Sequence, residues 1–482
     1  MVPMFKKSML MSLLIASMHS SAGIDHIELP ALGDSISGIV SRQQEKTMGD
    51  AWLRMFRAQV RTVRDPLLFE YTQNLVRRLA NFSELEDKHI ELVIVDNPSI
   101  NAFAVPGGVM GINNGLFINA PGEQEFASVV AHELAHLSQR HFARNIEQQQ
   151  QQSMPTMAGM LAGLVIMAAG GGDAGLATLA ATQAAAQQSA LAHSRLHETE
   201  ADRFGMDILV RAEMDPDAMA RMFQTMLDAK RFSGNKYPEF LLTHPLTENR
   251  VANAKTRARN FLKVDAEPSL AFFLMRSRVM LSFAESPQAG VRTFQAELDN
   301  SFTEYEKDAN RYGLVLSLID AHRLDEADTE LRKLLQKAPL NTAYQLAAAD
   351  ILNANNQHDS AAKHLRGLLM ISPNSHPLTM ALGATYILNG QPKLAADLLE
   401  LHSRKNPTLP SVWYDLAEAK GLAGDILGVH IARAEYFLLN GILDEAGRQL
   451  QYAMNLAQGD FMQTAKLEQR MKFLEKLRQT NL

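Results

Sequence analysis

The chain has 482 residues, 46% of them hydrophobic, and its 47 Lys and Arg against 53 Asp and Glu leave a formal charge of -6. That length exceeds one ordinary core and predicts two or three domains, and the mild acidity supplies no electrostatic footprint for nucleic acid. Cysteine is absent, which excludes a disulfide framework, a thiolate nucleophile, a Cys-rich zinc site and a lipidated cysteine, so a stable metal site must be built from His and carboxylates.

At the N-terminus Lys6-Lys7 precede an apolar run from Met9 to Met18 and the small residues Ser20-Ser21-Ala22. The run is too short to span a bilayer, so residues 1–22 read as a secretory signal peptide that sends the mature chain to a bacterial periplasm, with a retained anchor as the alternative. Residues 24–42 read as irregular. Residues 43–82 read as helical, with Trp52, Met55, Phe56 and Val60, then Leu67, Tyr71, Leu75 and Leu79 at helical spacing. Strand signals follow. Ile90 to Val95 is a β-rich run, and Asn101 to Val105, the turn Pro106-Gly107-Gly108 and Val109 to Ile112 predict a hairpin.

Sheet then gives way to a helix with an acidic start at Gly122-Glu123-Gln124-Glu125 and an apolar face of Phe126, Val129, Val130, Leu134 and Leu137. It carries His132-Glu133-Leu134-Ala135-His136. Histidines four apart lie one turn away on the same helix face, so His132 and His136 can bind one Zn2+ together. Glu133, beside the first of them, can reach a water held by the metal, which is the place of a general base in peptide hydrolysis. A strand edge beside this helix would let an extended substrate add as a further strand.

A catalytic zinc needs a third protein ligand. His141 fits no metzincin pattern, because Gln139 and Phe142 stand where Gly and His are required. The stretch His193 to Asp202 opens a helix that continues through Phe204, Ile208 and Leu209. On it Glu198 and Asp202 share a face, while Glu200 points roughly the opposite way. Glu198 is read as the ligand and Asp202 as the acceptor that orients a ligand imidazole, with Glu200 as the rival ligand.

Between the two motifs lie the polar tract Gln148 to Gln152 and an Ala-, Gly- and Met-rich stretch, 154–192, interrupted by Gly170-Gly171-Gly172. Its apolar core is too short to span a membrane. It reads either as loosely packed helices or as a lid-like hairpin making peripheral membrane contact.

From about residue 268 strand signals disappear and a repeat takes over. Ala327, Ala361 and Ala395 are 34 apart, as are Pro339, Pro373 and Pro407, which is the tetratricopeptide period. Ala446 lies 51 from Ala395, so a helix must be out of register around 425–440. About four helix pairs and a capping helix are expected, with a degenerate early unit at 270–305, forming a solenoid that binds extended or helical segments.

His132-Glu133-Leu134-Ala135-His136 followed by Ser194-Arg195 and Glu198-Thr199-Glu200-Ala201-Asp202 resembles the zinc metallopeptidases that include HtpX and the CAAX prenyl proteases, whose second motif is Glu-x-x-x-Asp. Signal peptide, peptidase domain and C-terminal repeats together resemble a periplasmic, repeat-bearing branch of those enzymes. The resemblance implies one zinc per subunit on His132, His136 and Glu198, with Glu133 as catalytic base. It also implies misassembled outer-membrane proteins as substrates, chaperone-like help to their assembly, and contact of the repeats with the barrel-assembly machinery. The expected fold is mainly α: a helical zincin-type peptidase domain with a small β-sheet at 23–267, then an α-solenoid of tetratricopeptide repeats at 268–482. A chaperone or adaptor with a largely latent peptidase site is the rival function.

His244, in Leu242-Thr243-His244-Pro245-Leu246, is fixed in extended backbone by the following proline. It is a candidate fourth ligand that holds the enzyme inactive; the plainer reading is a loop histidine lining the cleft. Arg250 is a candidate partner for an active-site carboxylate, or a surface arginine. The oxyanion donor is not identifiable.

Overall fold

The computed structural model describes residues 40–148, 187–232, 238–265 and 267–480. Residues 1–22, read as a signal peptide, lie outside these, as does 154–186 of the Ala- and Gly-rich stretch.

The first helix, α1 (Arg42–Gln59), starts at Ser41, whose hydroxyl accepts from the Gln44 N–H while Gln44 reaches back to the Ser41 N–H. The second, α2 (Pro66–Phe82), is capped by Asp65, which accepts from Leu67 N at 3.0 Å and Leu68 N at 3.1 Å. The continuous helical reading of 43–82 is therefore corrected. Proline at 66 disfavours helical backbone at Asp65, and the intervening residues run extended, with Thr62 bridging Val95.

Three strands follow, β1 (Glu91–Val95), β2 (Ala102–Val105) and β3 (Val109–Asn113). Their order is β1-β3-β2, with β1 parallel to β3 and β2 antiparallel to it, so β2 is an edge. The expected hairpin is present. Its turn uses Gly107 at φ +84, where a Cβ would meet Glu45 O at 2.5 Å, so the turn lies directly on α1.

After α3 (Gly115–Asn119) come α4 (Glu123–Ser138), α5 (His141–Gln148) and α6 (Gln187–Arg211). Helix α4 is buried along nearly its whole length and packs against α2, β2 and α6. It lies close against α6 at Gly205, where a Cβ would meet His132 N at 3.1 Å and Ala131 C at 3.2 Å. Helix α6 starts well before His193, a second correction: the Glu198 motif sits mid-helix, because the preceding Gln- and Ala-rich residues continue the helix. Helices α7 (Ala218–Phe232), α8 (Phe240–Thr243) and α9 (Glu248–Ala258) complete this part.

From Leu270 onward the described residues are helical and connected by short turns. Four antiparallel pairs run α10/α11 (Leu270–Ser282, Pro287–Asp299), α12/α13 (Glu304–Asp320, Leu324–Lys337), α14/α15 (Thr342–Ala354, His358–Ile371) and α16/α17 (His376–Leu388, Pro392–Lys405). Then come α18 (Pro410–Leu422), α19 (Ile426–Leu439), α20 (Leu443–Leu456) and a longer final helix, α21 (Phe461–Thr480). Helices α18 and α19 make a fifth pair in register, α19 beginning at Ile426, 34 residues after α17 begins at Pro392, and α20 with α21 makes a sixth. The out-of-register helix expected around 425–440 and the count of about four pairs are therefore corrected: Ala446 lies on α20, in the place of a first helix, and its Leu-Asp-Glu-Ala context only repeats that of the second helix α13.

Ser37–Leu482 is one compact unit, and a single hydrophobic core runs from Leu67 in α2 to Ala432 in α19. Helices α2 and α3 make the joint, α2 packing on α10 and α16 and α3 on α10. There Asp65 Oδ2 accepts from Arg278 Nε at 2.6 Å, and Arg278 Nη1 donates to the Tyr312 hydroxyl at 2.8 Å. Asp65 thus caps α2 with one oxygen and ties it to α10 with the other. Replacing Asp65 by Ala is expected to cost about 2 kcal/mol in denaturant unfolding, against the roughly 1 kcal/mol of a lost cap alone. Asp65→Ser, which keeps a capping oxygen, should recover about half of that loss; a full recovery would show that the ion pair contributes nothing.

Candidate metal centre

The crossing of α4 and α6 brings together side chains that lie more than sixty positions apart. His132 and His136 share one face of α4, with their Nε2 atoms 3.1 Å apart. Glu198 on α6 faces both, Oε2 at 3.4 Å from His132 Nε2 and Oε1 at 3.4 Å from His136 Nε2. His244, the residue after α8, closes the group, with Nδ1 at 3.0 Å from Glu198 Oε1 and 3.5 Å from His132 Nε2. These four residues form a cluster whose donor atoms all lie within 4.8 Å of one another. Donors around a tetrahedral ion with bonds of about 2.05 Å are separated by roughly 3.3 Å. The separations here, 3.0 to 3.5 Å, bracket that edge. The buried His132 imidazole, the half-buried His136 imidazole and a buried carboxylate converging at this spacing fit a metal ion.

The surrounding groups hold the donors in place. Asp202, one turn after Glu198, faces His132 Nδ1 at 3.1 Å, as the helix phase predicts. Arg250 on α9 is buried: its Nε and Nη2 donate to the two oxygens of Asp202 at 2.8 and 2.6 Å, and its Nη1 lies 2.9 Å from Glu198 Oε2. The same nitrogen donates to Pro245 O at 2.8 Å. Of its two sequence readings, the carboxylate partner is the one observed.

Charge in the cluster follows from these contacts. Burial works against ionisation of Glu198, yet the His244, His132 and His136 imidazoles hold its carboxyl well below the usual range. Burial also opposes charge on His132, but Asp202 and Glu198 outweigh it and push the imidazole up to about 9. His136 goes the other way, with burial holding it neutral. Burial likewise opposes the Asp202 anion, and His132 and Arg250 overcome it.

Glu133 lies beside the cluster and not within it. Burial raises its carboxyl, opposed by His244 and His132, and the Ala104 N–H of edge strand β2 donates to it. Its Oε1 has no hydrogen-bond partner, and His244 Nε2 lies 3.4 Å from it. A cavity of about 230 Å3 opens here, bordered by Phe103, Ala104, Glu133, His136, Phe142 and His244.

Glu200 turns away from the donors, as its phase predicts, and pairs with His141 at 3.2 Å and Arg144 at 2.8 Å. Sequence reasoning tested His141 only as a metal ligand and missed this contact. The signal was weak, because α5 turns back only after Arg140 adopts φ 51.

A His-Glu-x-x-His helix packed against a second helix bearing Glu-x-x-x-Asp, around a cluster able to hold a metal, is the arrangement of a metallopeptidase. Residues 66–258 match Peptidase family M48. The chain is 32% identical over 454 residues to the beta-barrel assembly-enhancing protease of Escherichia coli (strain K12), covering 94% of this chain and 92% of that protein. Its identity to the protein of that name from Yersinia pestis is 33% over 419 residues, 87% and 85% of the two chains. The chain is also 30% identical over 189 residues to the mitochondrial metalloendopeptidase OMA1 of Schizosaccharomyces pombe, 38% of this chain and 50% of that one. The chain belongs to the β-barrel assembly-enhancing protease family, within peptidase family M48, and is a metalloendopeptidase.

Arg250 is the counter-charge for two buried carboxylates, and removing one partner of a buried pair costs about 3–5 kcal/mol. Arg250→Leu should therefore unfold at markedly lower denaturant when metal is stripped by chelator. An unchanged midpoint under that condition would contradict this reading.

Proposed function

We propose that this protein is a periplasmic zinc endopeptidase that acts in quality control and assembly of outer-membrane β-barrel proteins. The observation that carries the catalytic part is the convergence of His132, His136 and Glu198 beside the buried Glu133. One zinc per chain would be held by the two Nε2 atoms and the Glu198 carboxylate, and when bound it supplies the Lewis acidity that activates a water and polarises the scissile carbonyl. Asp202 accepts from His132 Nδ1–H and keeps its Nε2 lone pair turned inward. Glu133, its carboxyl raised by burial, takes the proton of the attacking water and passes it to the leaving amine. The β2 edge at Ala104 offers backbone groups on which an extended substrate can align.

The biological setting rests on the family. The relatives' name supports action on β-barrel assembly, and the Lys-rich, apolar N-terminus of residues 1–22 supports export. Among the described residues no helix is long and apolar enough to cross a membrane. Residues 23–267 carry the chemistry. Residues 268–482 bind misassembled outer-membrane proteins and the barrel-assembly machinery, and 154–192 makes peripheral membrane contact.

One observation favours latency at rest. His244 faces both Glu198 and Glu133, stacks on Phe240 with ring centroids 4.5 Å apart, and is tied through Pro245 to Arg250. In that position it competes for the fourth coordination place and for the general base. The repeat region then acts as a chaperone or adaptor until a substrate or partner withdraws the loop.

Glu133→Gln should abolish cleavage of an unfolded protein substrate while zinc content stays at the wild-type level; retained cleavage by pure protein would remove Glu133 as base. His244→Ala should raise proteolysis several-fold in the same assay. Unchanged or lower activity would reject the plug.

A further inference from the structure

His136 has an outer nitrogen that faces away from the metal cluster, and something must satisfy it. His141 Nδ1 lies 2.9 Å from His136 Nδ1. The other nitrogen of His141, Nε2, lies 3.2 Å from Glu200 Oε2, and Arg144 Nη1 donates to that same oxygen at 2.8 Å. The His197 ring stacks on His141 at 4.4 Å and 10°, fixing the plane of the imidazole.

The direction of each hydrogen bond follows from donor chemistry. A carboxylate paired with a guanidinium is an acceptor only, so His141 Nε2 is the donor toward Glu200. A neutral imidazole carries one N–H, which makes His141 Nδ1 an acceptor. The proton in the 2.9 Å contact therefore sits on His136 Nδ1. That leaves the His136 lone pair on Nε2, the atom that faces His132 Nε2 at 3.1 Å and Glu198 Oε1 at 3.4 Å. With the opposite tautomer of His141, a lone pair would face the Glu200 anion and His136 would turn an N–H toward the other donors.

We propose that His141 and Glu200 are positioning residues that set the tautomer and ring orientation of His136 for metal binding. The inference rests on the metal-site reading above. Helix α6 then serves both imidazoles: Asp202 locks His132 directly, and Glu200, from the same helix, locks His136 through an intervening histidine. This gives functions to a histidine and a carboxylate that contribute no ligand atom.

The test measures Zn2+ affinity of the full chain by competition with a chromophoric chelator. His141→Leu keeps bulk and loses the acceptor, whereas His141→Asn loses the ring but places an amide oxygen near the position of Nδ1. His141→Leu should weaken Zn2+ binding by about 10- to 100-fold, and His141→Asn should remain within about 3-fold of wild type. Equal affinity of His141→Leu and wild type, or equal losses in both variants, would overturn the proposal. A measurement independent of variant folding is 15N NMR of histidine-labelled wild-type protein. It should show His136 protonated at Nδ1 in the zinc-loaded state, and protonation at Nε2 would equally overturn it. His132→Ala separates the two readings. If it binds zinc as wild type does, the metal site is wrong; if it loses zinc while His141→Leu does not, only the relay is.

Discussion

The approach of α4 to α6 at Gly205 is the constraint on which the site depends. A Cβ at that position would stand 3.1 Å from His132 N and 3.2 Å from Ala131 C, so the two helices meet closely enough that any side chain there would push them apart by a few tenths of an ångström. Buried Ala201, one turn earlier, extends the smooth seam. This contact puts Glu198 and Asp202, one turn apart, opposite His132 and His136, also about one turn apart. Each of the four side chains can then reach its partner from regular helical backbone.

Bringing two carboxylates into a buried seam carries a desolvation cost that must be met locally. Arg250 meets it by spanning Asp202 and Glu198, and the imidazoles supply the rest. Because Arg250 also holds Pro245 O, the loop bearing His244 is anchored to the same charge system that orders the metal donors. The loop histidine and the donors are therefore coupled through one guanidinium. On the other flank, Glu133 is placed by edge strand β2, and α1 supports the hairpin turn at Gly107. The cleft lies between a strand edge and the motif helix.

Much of this was legible because it is local. That His132 shares a face with His136, and Glu198 with Asp202, follows from helix phase, since residues four apart lie one turn away whatever the tertiary context; that Glu198 rather than Glu200 faces the histidines follows from where α6 meets α4. The 34-residue period was readable because each repeat must bury the same small residue, but the 51-residue interval misled: α19 keeps the period, and Ala446 belongs to the first helix of the next unit, whose local sequence resembles that of a second helix. The break at Asp65 was also written in the chain, as an N-cap followed by proline, but the helical spacing on either side obscured it. The link from His141 to Glu200 was not readable. It depends on a left-handed residue at Arg140 and on how α5 lies against α6. Nor does composition reveal that one hydrophobic core continues past residue 267, because a change of period marks a change of architecture and does not say whether the surfaces on either side are joined.

The central claim is that α4 and α6 together hold one metal ion. Zinc K-edge anomalous diffraction from crystals of the zinc-loaded chain tests it most directly. The account predicts one ion per chain bound by His132 Nε2, His136 Nε2 and the Glu198 carboxylate, with His244 beside the remaining position. An ion bound by Glu200 instead of Glu198, or no ion between the two helices, would contradict it.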